Sequence, residues 1–559
     1  MHAHRSTLLG LLLAACAGDP PAADEGPGSS GAAATTAGGE TSPAPTTGAP
    51  DAGSSGSTSG TTASSSGGES STGDPPPPAL PPLEQPVVMT DAARRVPTHA
   101  VDAERVVDVR IPEQRDQAMA DGYGQIELQA GEPVLPLTLD GAEPPAPGPA
   151  PQLLARFVHL ADTQLTDDES PARLVNFDQI EDGAFRPQEA HLCRMLDAAA
   201  RTINRVHVDA PVDFVLLGGD NVDNAQANEL EWFMGILDGA PEVECDSAID
   251  DDPVPGPGND PKDRFTPVGL DVPWLWVTGN HDILRQGNWP VADWMGEPTG
   301  STAVAGTRDW SQPGGPIVTG SVPSDPARTF LGEAEMLQRV AAGGDGHGIT
   351  ADALALGRAF YTFDVAGTPL RLLIFDTAAA TGGATGLVRQ VDVDAILEPA
   401  LQQAAADGKA VIVTSHHRAD RLSDGNEQGI GEEFADALTP DEFVALLGGH
   451  PHVLLHLAAH SHTMHVQPRA PMGGHAYWEV ASPALADFPS QMRLLEVWDQ
   501  DNGFLSIRAL AFDFVADDDP IADEGRALAV ADYTTAWRTT DGRGMDPEDR
   551  NVELWIAAP

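Results

Sequence analysis

Six apolar runs of strand length in this chain end abruptly in side chains that can bind a metal ion. One such ending means little, because a lone histidine or aspartate is usually structural or exposed. Two divalent cations about 3.5–4 Å apart need a shared carboxylate, neutral imidazoles and further oxygen ligands. The joint pattern predicts a site of this kind, with candidate ligands in Asp162-Thr163-Gln164, Asp220-Asn221, Gly279-Asn280-His281-Asp282, Asp376-Thr377, Ser415-His416-His417 and His460-Ser461-His462.

The apolar pattern also indicates the elements that must position these side chains. Continuous apolar runs such as Phe214–Leu217 and Ala410–Thr414 are typical of strands buried on both faces. Apolar residues at helical spacing predict helices over residues 189–204 and 391–406. In open α/β sheets, ligands bind beyond the carboxyl ends of the strands. We therefore expect an α/β fold in which one rim gathers the six endings.

The order of these motifs resembles that of the calcineurin-like metallophosphoesterase superfamily. Its members carry Asp-x-His, Gly-Asp, Gly-Asn-His-Asp/Glu, a lone His and Gly-His-x-His in this order. The matching motifs here start at or just before Asp162, Asp220, Asn280, His416 and His460. The stretch 219–233 looks closest to exported bacterial members. The resemblance implies a four-layer α-β-β-α sandwich over residues 151–515, with the site on a central rim.

The resemblance also implies a role for each matching residue. His281 would lie beside the scissile phosphate as general acid or transition-state stabiliser, and Asp282 would orient His281. His417 is a candidate for supporting a ligand or contacting the substrate. Two divalent ions, whether Mn, Zn, Fe or Mg, would be bridged by Asp220. The other implied ligands are Asp162, Gln164 and His462 for the first ion, and Asn280, His416 and His460 for the second.

Three positions depart from the family pattern, and a fourth separates the chain from one subfamily. Gln164 replaces the usual histidine, which predicts a weaker first metal site. Ala459 replaces the usual glycine before His-x-His, and Asn224 stands where many members carry a phosphate-binding arginine. Asp223 is not the tyrosine of purple acid phosphatases, so an iron–tyrosinate site is not expected.

Charge and composition exclude several other classes of protein. The 559 residues include 31 Lys plus Arg and 84 Asp plus Glu, for a net charge of −53. So negative a chain repels polyanions, which excludes a nucleic-acid-binding scaffold. Neither lysine, Lys262 or Lys409, lies in a Walker-type phosphate loop. No His-Glu-x-x-His helix and no apolar run of membrane-spanning length occurs in the sequence.

The N-terminus is typical of export. Residues 1–16 have a weakly basic start, a leucine-rich core and Leu13-Ala14-Ala15-Cys16, which resembles a bacterial lipobox. The alternative is an ordinary signal peptide with an incidental cysteine. Residues 17–82 are rich in Gly, Ser, Thr, Ala and Pro, a composition that favours a disordered tether. We expect an exported lipoprotein at the cell envelope, held to a membrane through lipidated Cys16.

The remaining segments allow alternatives. Cys193 and Cys245 either form a disulfide, as an oxidising compartment permits, or remain two buried thiols. We expect a β-rich extension over residues 83–150 and a C-terminal extension over 516–559. The acidic insertion 240–270 is either a calcium loop or a solvated loop. The insertion 284–350, with Trp289, Trp294 and Trp310, is either a lid or packing against the sheet.

The sequence is compatible with two functions. The first is dimetal-dependent hydrolysis of a phosphate ester, mono- or diester, in which a hydroxide held between the metals attacks phosphorus and His281 assists the leaving group. Its substrate would be a phosphorylated small molecule or a lipid headgroup. The alternative is a surface-displayed binding lipoprotein with a degenerate metal site, for which Gln164 is the sequence support.

Overall fold

A computed structural model describes residues 76–101, 106–178, 183–248, 254–291, 297–427, 429–535 and 546–559. These residues belong to one compact unit, Ser70–Pro559. The expected signal peptide, the lipobox cysteine Cys16 and residues 17–75 of the expected tether lie outside the described residues. So do Asp250-Asp251-Asp252 of the acidic insertion and Trp294. None of the described helices has the length and apolar character needed to cross a bilayer.

The strands are numbered here in chain order. Those of the first half are β1 (Ala93–Pro97), β2 (Ile126–Ala130), β3 (Leu135–Thr138), β4 (Gln152–Leu160), β5 (Phe214–Leu217), β6 (Trp274–Leu275), β7 (Leu284–Arg285), β8 (Trp289–Pro290), β9 (Thr302–Arg308) and β10 (Ile317–Ser321). Those of the second half are β11 (Tyr361–Asp364), β12 (Leu370–Ile374), β13 (Gly386–Leu387), β14 (Ala410–Thr414), β15 (Leu422–Ser423), β16 (Asn426–Glu427), β17 (Ile430–Gly431), β18 (Val453–Ala458), β19 (His465–Arg469), β20 (Tyr477–Ala481), β21 (Gln491–Asp499), β22 (Phe504–Asp513) and β23 (Val552–Ala557).

The helices follow the same numbering. They are α1 (Pro112–Ala120), α2 (Leu192–Asp209), α3 (Ala227–Asp238), α4 (Glu333–Ala342), α5 (Ala351–Leu356), α6 (Gln390–Asp392, continued by the π-helical Val393–Leu397 and by Glu398–Ala406), α7 (Pro440–Gly448), α8 (Pro520–Thr534) and α9 (Pro547–Arg550). Short 3₁₀ turns lie at Val175–Phe177, Glu189–His191, Pro326–Arg328 and Ala419–Arg421. The two helices expected from apolar spacing are therefore α2 and α6.

Two sheets carry the fold. The seven-stranded sheet has the order β3-β23-β22-β21-β4-β5-β6, and the six-stranded sheet has the order β11-β12-β14-β18-β20-β19. Strands β4, β5 and β6 are parallel, and so are β12, β14, β18 and β20. All six strands that the apolar runs predicted lie within these two parallel sets. Because parallel strands end at the same edge, the polar residues that follow them meet on one rim.

The two sheets face each other across a shared apolar core. The Phe214 ring of β5 packs edge-on against Phe363 of β11, with ring centroids 5.2 Å apart. Trp478 Nε1 of β20 donates to the Trp555 carbonyl of β23 at 3.1 Å. Helix α2 contacts α3 and α8, and the last segment of α6 contacts β14. Helices accompany both sheets, which confirms the expected mixed α/β fold of the superfamily.

The termini of the described chain join the same body. Strands β1 and β2 pair with each other, whereas β3 pairs in parallel with β23 at the edge of the seven-stranded sheet. Elements on both sides of the expected boundary at residue 515 thus belong to one sheet. The last residues of the expected tether also contact the domain, because Arg201 Nε donates to the Pro81 carbonyl at 2.7 Å.

Cys193 and Cys245 form a disulfide. It joins the first turn of α2 to the loop that follows α3, where Val243 bridges Phe265. The bond therefore attaches the base of the 240–270 insertion to the core. Of the two alternatives for these cysteines, the structure shows the bonded one.

Candidate metal centre

The expected ligands converge at the carboxyl ends of β4, β5, β14 and β18. Asp162 Oδ1 lies 3.4 Å from His462 Nε2, and Asp220 Oδ2 lies 3.1 Å from His416 Nε2. Gln164 Nε2 lies 3.4 Å from Asp220 Oδ2. One group of potential ligand atoms, those of Asp162, Asp220 and His416, fits within 4.8 Å. The rim predicted from the strand endings therefore exists.

Several buried polar atoms of this cluster have no hydrogen-bond partner among the described residues. A buried polar atom without a partner is unfavourable by roughly 1–3 kcal/mol, so a concentration of them indicates a missing ligand. Carboxylate oxygens, amide oxygens and imidazole nitrogens form a donor set that suits divalent metal ions. The residues present thus fit a metal. The atoms are Asp162 Oδ2, Gln164 Oε1, Asn280 Oδ1 and His460 Nδ1. Asp162 Oδ1 and His416 Nε2 instead pair with His462 and Asp220, at 3.4 and 3.1 Å.

Neighbouring groups orient three of the expected ligands. Asn280 Nδ2 donates to the Gly287 carbonyl at 2.9 Å, which directs Oδ1 toward the cluster. His416 Nδ1 lies 2.7 Å from the Gly218 carbonyl, so Nε2 remains as the ligand atom. His462 Nδ1 lies 2.6 Å from a carboxylate oxygen of Asp487. Such outer contacts set the tautomer and direction of a metal-binding histidine.

Five of the expected ligands have left-handed backbone conformations. This region is uncommon for residues other than glycine, since the Cβ atom crowds the following carbonyl. The positive φ angles place each side chain on a sharp turn directly after its strand. They are 49° at Asp162, 40° at Gln164, 54° at Asp220, 68° at His460 and 54° at His462.

Electrostatics in the cluster follow the mixture of carboxylates and imidazoles. Burial would lower the pKa of His416, but the Asp220 carboxylate outweighs it and raises that pKa to about 9. Burial would also lower the pKa of His462, but the Asp162 carboxylate outweighs it and raises that pKa to about 9. Burial and the neighbouring His417 hold the pKa of His460 well below its usual range. The carboxylates thus provide the negative potential that a cation needs.

His281 is held by Asp223, and the expectation that Asp282 orients it is wrong. His281 Nδ1 lies 3.0 Å from Asp223 Oδ1, while its backbone N–H donates to Asp220 Oδ1 at 2.8 Å. The Asp282 carboxylate instead accepts backbone N–H groups of residues 220–222 and 279, at 2.8–3.1 Å. Asp282 points away from the imidazole because it caps the turn that presents Asp220.

His417 supports the cluster from the side. Its Nδ1 lies 2.9 Å from Thr377 Oγ1, and its Nε2 lies 3.0 Å from the Ala384 carbonyl. Its ring centroid is 4.4 Å from that of His460. Both nitrogens are therefore engaged by the protein, which favours a supporting role over a substrate contact. The strand ending Asp376-Thr377 contributes Thr377 through this contact with His417. Asp376 has a local role, since its Oδ1 accepts the Ala378 backbone N–H at 2.9 Å.

The departures from the family pattern have local explanations. Asn224 Nδ2 donates to Asp223 Oδ2 at 3.1 Å and to Glu229 Oε1 at 3.2 Å, so its amide faces buried carboxylates. Ala459 is accommodated by Gly218, because a Cβ added at Gly218 would lie 3.1 Å from that of Ala459. Gln164 occupies the cluster itself.

The two insertions make different contacts, and the second lies beside His281. In the 240–270 insertion, Lys262 is buried, with Nζ 2.7 Å from Asp168 Oδ1 and 2.8 Å from Glu169 Oε1. In the 284–350 insertion, Gly287 approaches His281 so closely that an added Cβ would lie 2.3 Å from the ring. Trp289 and Trp310 are half-buried. The start of the second insertion therefore covers His281 directly.

Sequence reasoning missed three contributors to the site. Asp223 could have been recognised, because it follows Asp220 by three residues in the same loop. Asp487 and Gly287 carried no such signal. Asp487 reaches His462 from the loop before β21, and Gly287 contributes only its carbonyl and its lack of a side chain.

Comparison with known proteins places this geometry in a family. No curated protein sequence is significantly similar to the chain. Among solved structures, it is similar to the purple acid phosphatase PPD1 from yellow lupin (Lupinus luteus) seeds, with 11% identity, a TM-score of 0.30 and coverage of 69% of this chain and 54% of that one. It is also similar to the sulfate thiohydrolase SoxB of Thermus thermophilus in complex with glycerol, with 14% identity, a TM-score of 0.28 and coverage of 68% and 60%.

The chain thus spans between half and two thirds of the length of both solved structures. A family profile described as calcineurin-like phosphoesterase matches residues 155–463, which is more than half of the chain. That range contains every residue of the cluster from Asp162 to His462. The chain belongs to the calcineurin-like phosphoesterase family.

Proposed function

We propose that the protein is an exported enzyme that uses two divalent metal ions to hydrolyse a phosphate ester. Family membership supports metal-dependent phosphoester hydrolysis at a general level. The observation that carries the proposal is the set of buried oxygen and nitrogen atoms without partners at the strand ends. In a binding protein with a degenerate site, these atoms would need ordered water or another polar group to offset their unfavourable burial.

The chain's own residues divide the work. Asp162, Gln164, Asp220 and His462 would hold one ion, and Asn280, His416 and His460, with Asp220 shared, would hold the other. When bound, such ions polarise the phosphoryl group and lower the pKa of a coordinated water. His281 faces the cluster, with Nε2 4.0 Å from Asp220 Oδ2. Its Nδ1 is held by Asp223, so Nε2 is the atom that would give a proton to the leaving group.

Two aspartates at strand ends provide a matched test of the metal centre. Asp162→Asn should lower bound metal toward one ion per chain and reduce turnover, because it removes a charged ligand of the first ion. Asp376→Asn is the control, since Asp376 also follows a strand but bonds to backbone N–H groups. The readouts are metal analysis and a panel of phosphate mono- and diesters, assayed on metal-reconstituted protein. Two tightly bound ions in Asp162→Asn would contradict the proposal.

We further propose that the enzyme acts at the cell envelope, anchored through lipid on Cys16. The lipobox-like residues 13–16 and the tether composition of residues 17–82 support this location. Wild-type protein expressed in a bacterium with lipoprotein processing should partition with membranes, whereas Cys16→Ser should be released or remain uncleaved. An unmodified mature N-terminus elsewhere, found by mass spectrometry, would contradict anchoring and leave the phosphoesterase proposal intact.

A further inference from the structure

The two histidines at the edge of the metal centre share a second feature. His281 and His462 come from different loops, and each presents Nδ1 to a buried carboxylate. His281 Nδ1 lies 3.0 Å from Asp223 Oδ1, and His462 Nδ1 lies 2.6 Å from Asp487 Oδ2. Each carboxylate fixes the direction in which the other ring nitrogen points.

One arginine joins these two carboxylates. Arg186 Nε lies 3.0 Å from Asp487 Oδ1, and Arg186 Nη1 lies 3.4 Å from Asp223 Oδ1. The side chains of all three residues are at most 2% exposed, so water does not screen the interaction. A guanidinium is planar and rigid, and two carboxylates bound to one fork cannot shift independently.

The turn that carries Arg186 is held in place. Its backbone N–H donates to Glu189 Oε1 at 2.8 Å, and its carbonyl accepts from Arg308 Nη2 at 2.8 Å. Gln188, two residues further on, donates from Nε2 to Asp487 Oδ1 at 3.3 Å. The guanidinium therefore has a defined position relative to the loop that supports His462.

Balancing buried charge is the simpler role that an arginine here could have. Arg328 provides the comparison because its side chain is also buried, at 0% exposed, and pairs with a buried carboxylate. Its Nε lies 2.7 Å from Asp167 Oδ2, and its Nη1 donates to the Pro323 carbonyl at 2.8 Å. These partners touch neither the histidines of the metal centre nor the carboxylates that hold them.

We propose that Arg186 is a positioning residue that keeps His281 and His462 in one fixed arrangement through Asp223 and Asp487. This inference rests on the proposed function, which assigns a leaving-group role to one histidine and a metal to the other. A lysine at position 186 would keep the positive charge but offer a point charge in place of the fork. The exchange therefore separates positioning from charge balance.

The first measurement is metal affinity, which needs no turnover. Metal-free wild type, Arg186→Lys and Arg328→Lys are titrated calorimetrically with Mn²⁺ and with Zn²⁺. Arg186→Lys should bind the ion of the site that contains His462 roughly 10–100-fold more weakly, the usual effect of losing an outer contact to a metal-binding histidine. Arg328→Lys carries the same chemical change at similar burial and should remain within about twofold of wild type.

The second measurement is the dependence of turnover on the leaving group, at saturating metal. Phenyl and 4-nitrophenyl esters are compared, as mono- or diesters according to the preference of the wild type. A poor leaving group depends more on proton donation. Arg186→Lys should therefore lose more turnover on the phenyl ester than on the 4-nitrophenyl ester. Arg328→Lys should lose the same factor on both esters.

The outcomes separate the two proposals. Positioning is supported if Arg186→Lys shows both weaker metal binding and a steeper leaving-group dependence while the control variant shows neither. If both lysine variants behave alike, Arg186 only balances charge and the inference is overturned. If wild type binds two ions but hydrolyses no ester, the proposed function fails, while the titrations still decide the role of Arg186.

A second variant applies if Arg186→Lys does not fold. Asp487→Asn removes charge from the His462 side of the link and leaves the His281 side chemically intact. With Arg186 joining the two sides, this variant should both weaken metal binding and steepen the leaving-group dependence. A change in metal binding alone would show that the two histidines are independent, and would overturn the inference.

Discussion

Asp162 and Asp282 are both fully buried aspartates beside the same cluster, yet their carboxylates have opposite surroundings. Asp162 has one ion-pair contact, from Oδ1 to His462 Nε2 at 3.4 Å, and its Oδ2 has no hydrogen-bond partner among the described residues. The Asp282 carboxylate accepts N–H groups from Gly279, Asp220, Val222 and both the backbone and side chain of Asn221. The protein thus satisfies the Asp282 carboxylate fully and the Asp162 carboxylate only in part.

The two carboxylates therefore have different roles in this rim, one in the fold and one in the candidate metal centre. Asp282 stabilises the turn that presents Asp220, so its contribution belongs to the fold. Asp162 has an ion-pair contact with His462 through one oxygen only. Its other buried oxygen has no partner among the described residues, which is unfavourable without a metal. Substitutions at the satisfied carboxylate should change stability, and substitutions at the candidate ligands should change metal binding and turnover.

The largest effect is expected for Asp220, which accepts a backbone N–H and is also the proposed shared ligand of the two ions. Asp220→Asn keeps an acceptor for the His281 backbone N–H but removes the charge shared by both proposed ions. Metal content and turnover should fall together, with turnover reduced by roughly 10⁴-fold, equivalent to several kcal/mol of lost charge stabilisation. Metal analysis and steady-state kinetics check this, and two retained ions with wild-type turnover would remove Asp220 from the site.

The next effect separates chemistry from metal binding. His281→Ala should reduce turnover by roughly 10²–10⁴-fold, the typical contribution of a general acid, while metal content stays at the wild-type value. Asp223→Asn is the companion variant, because it leaves the imidazole in place without its charged partner. It should show a smaller loss of the same kind. Loss of one metal equivalent in His281→Ala would instead make His281 a ligand.

The satisfied carboxylate should matter for stability even without metal. Asp282→Ala leaves several buried N–H groups without an acceptor and should reduce the free energy of unfolding by about 3 kcal/mol. Asp162→Ala should reduce that free energy by less in metal-free protein, since it removes a carboxylate that has one imidazole contact and one oxygen without a partner among the described residues. Denaturant unfolding in the presence of a chelator measures both. Equal destabilisation of the two variants would abolish the contrast.

The smallest effect concerns the composition of the first site. Gln164→His replaces a neutral amide with an imidazole, which late divalent metals such as zinc bind more strongly. Zinc affinity should rise by about tenfold, whereas magnesium and manganese should gain less. Calorimetric titration with each metal distinguishes them. An unchanged zinc affinity would show that Gln164 does not contact the ion.

Sequence patterns indicated the mixed α/β fold and the six strands well, for physical reasons. Strands buried on both faces must be apolar throughout, so β5, β14 and β18 stand out against the polar turns that follow them. The polar endings stand out for the same reason. The short β6 illustrates the limit, because the apolar run continues through Val277 although pairing stops at Leu275.

What the sequence left open depended on contacts between distant segments. Asp487 lies 25 residues from His462, and Arg186 lies 301 residues from Asp487, so no local spacing links them. The role of Asp282 was misjudged because adjacency to His281 in the chain suggested contact. On a tight turn, neighbouring side chains diverge, and the partner of His281 came from the loop carrying Asp223 instead.

The left-handed turns at the strand ends determine which substitutions would stabilise the backbone there. Each non-glycine residue in this conformation is less favourable by roughly 1–2 kcal/mol, a strain that glycine would relieve. Selection for stability alone would therefore favour glycine at Asp162, Gln164, Asp220, His460 and His462. Because such a glycine would remove a candidate ligand, backbone stability and metal binding conflict at the same five positions. This chain has a ligand-type side chain in the left-handed conformation at all five.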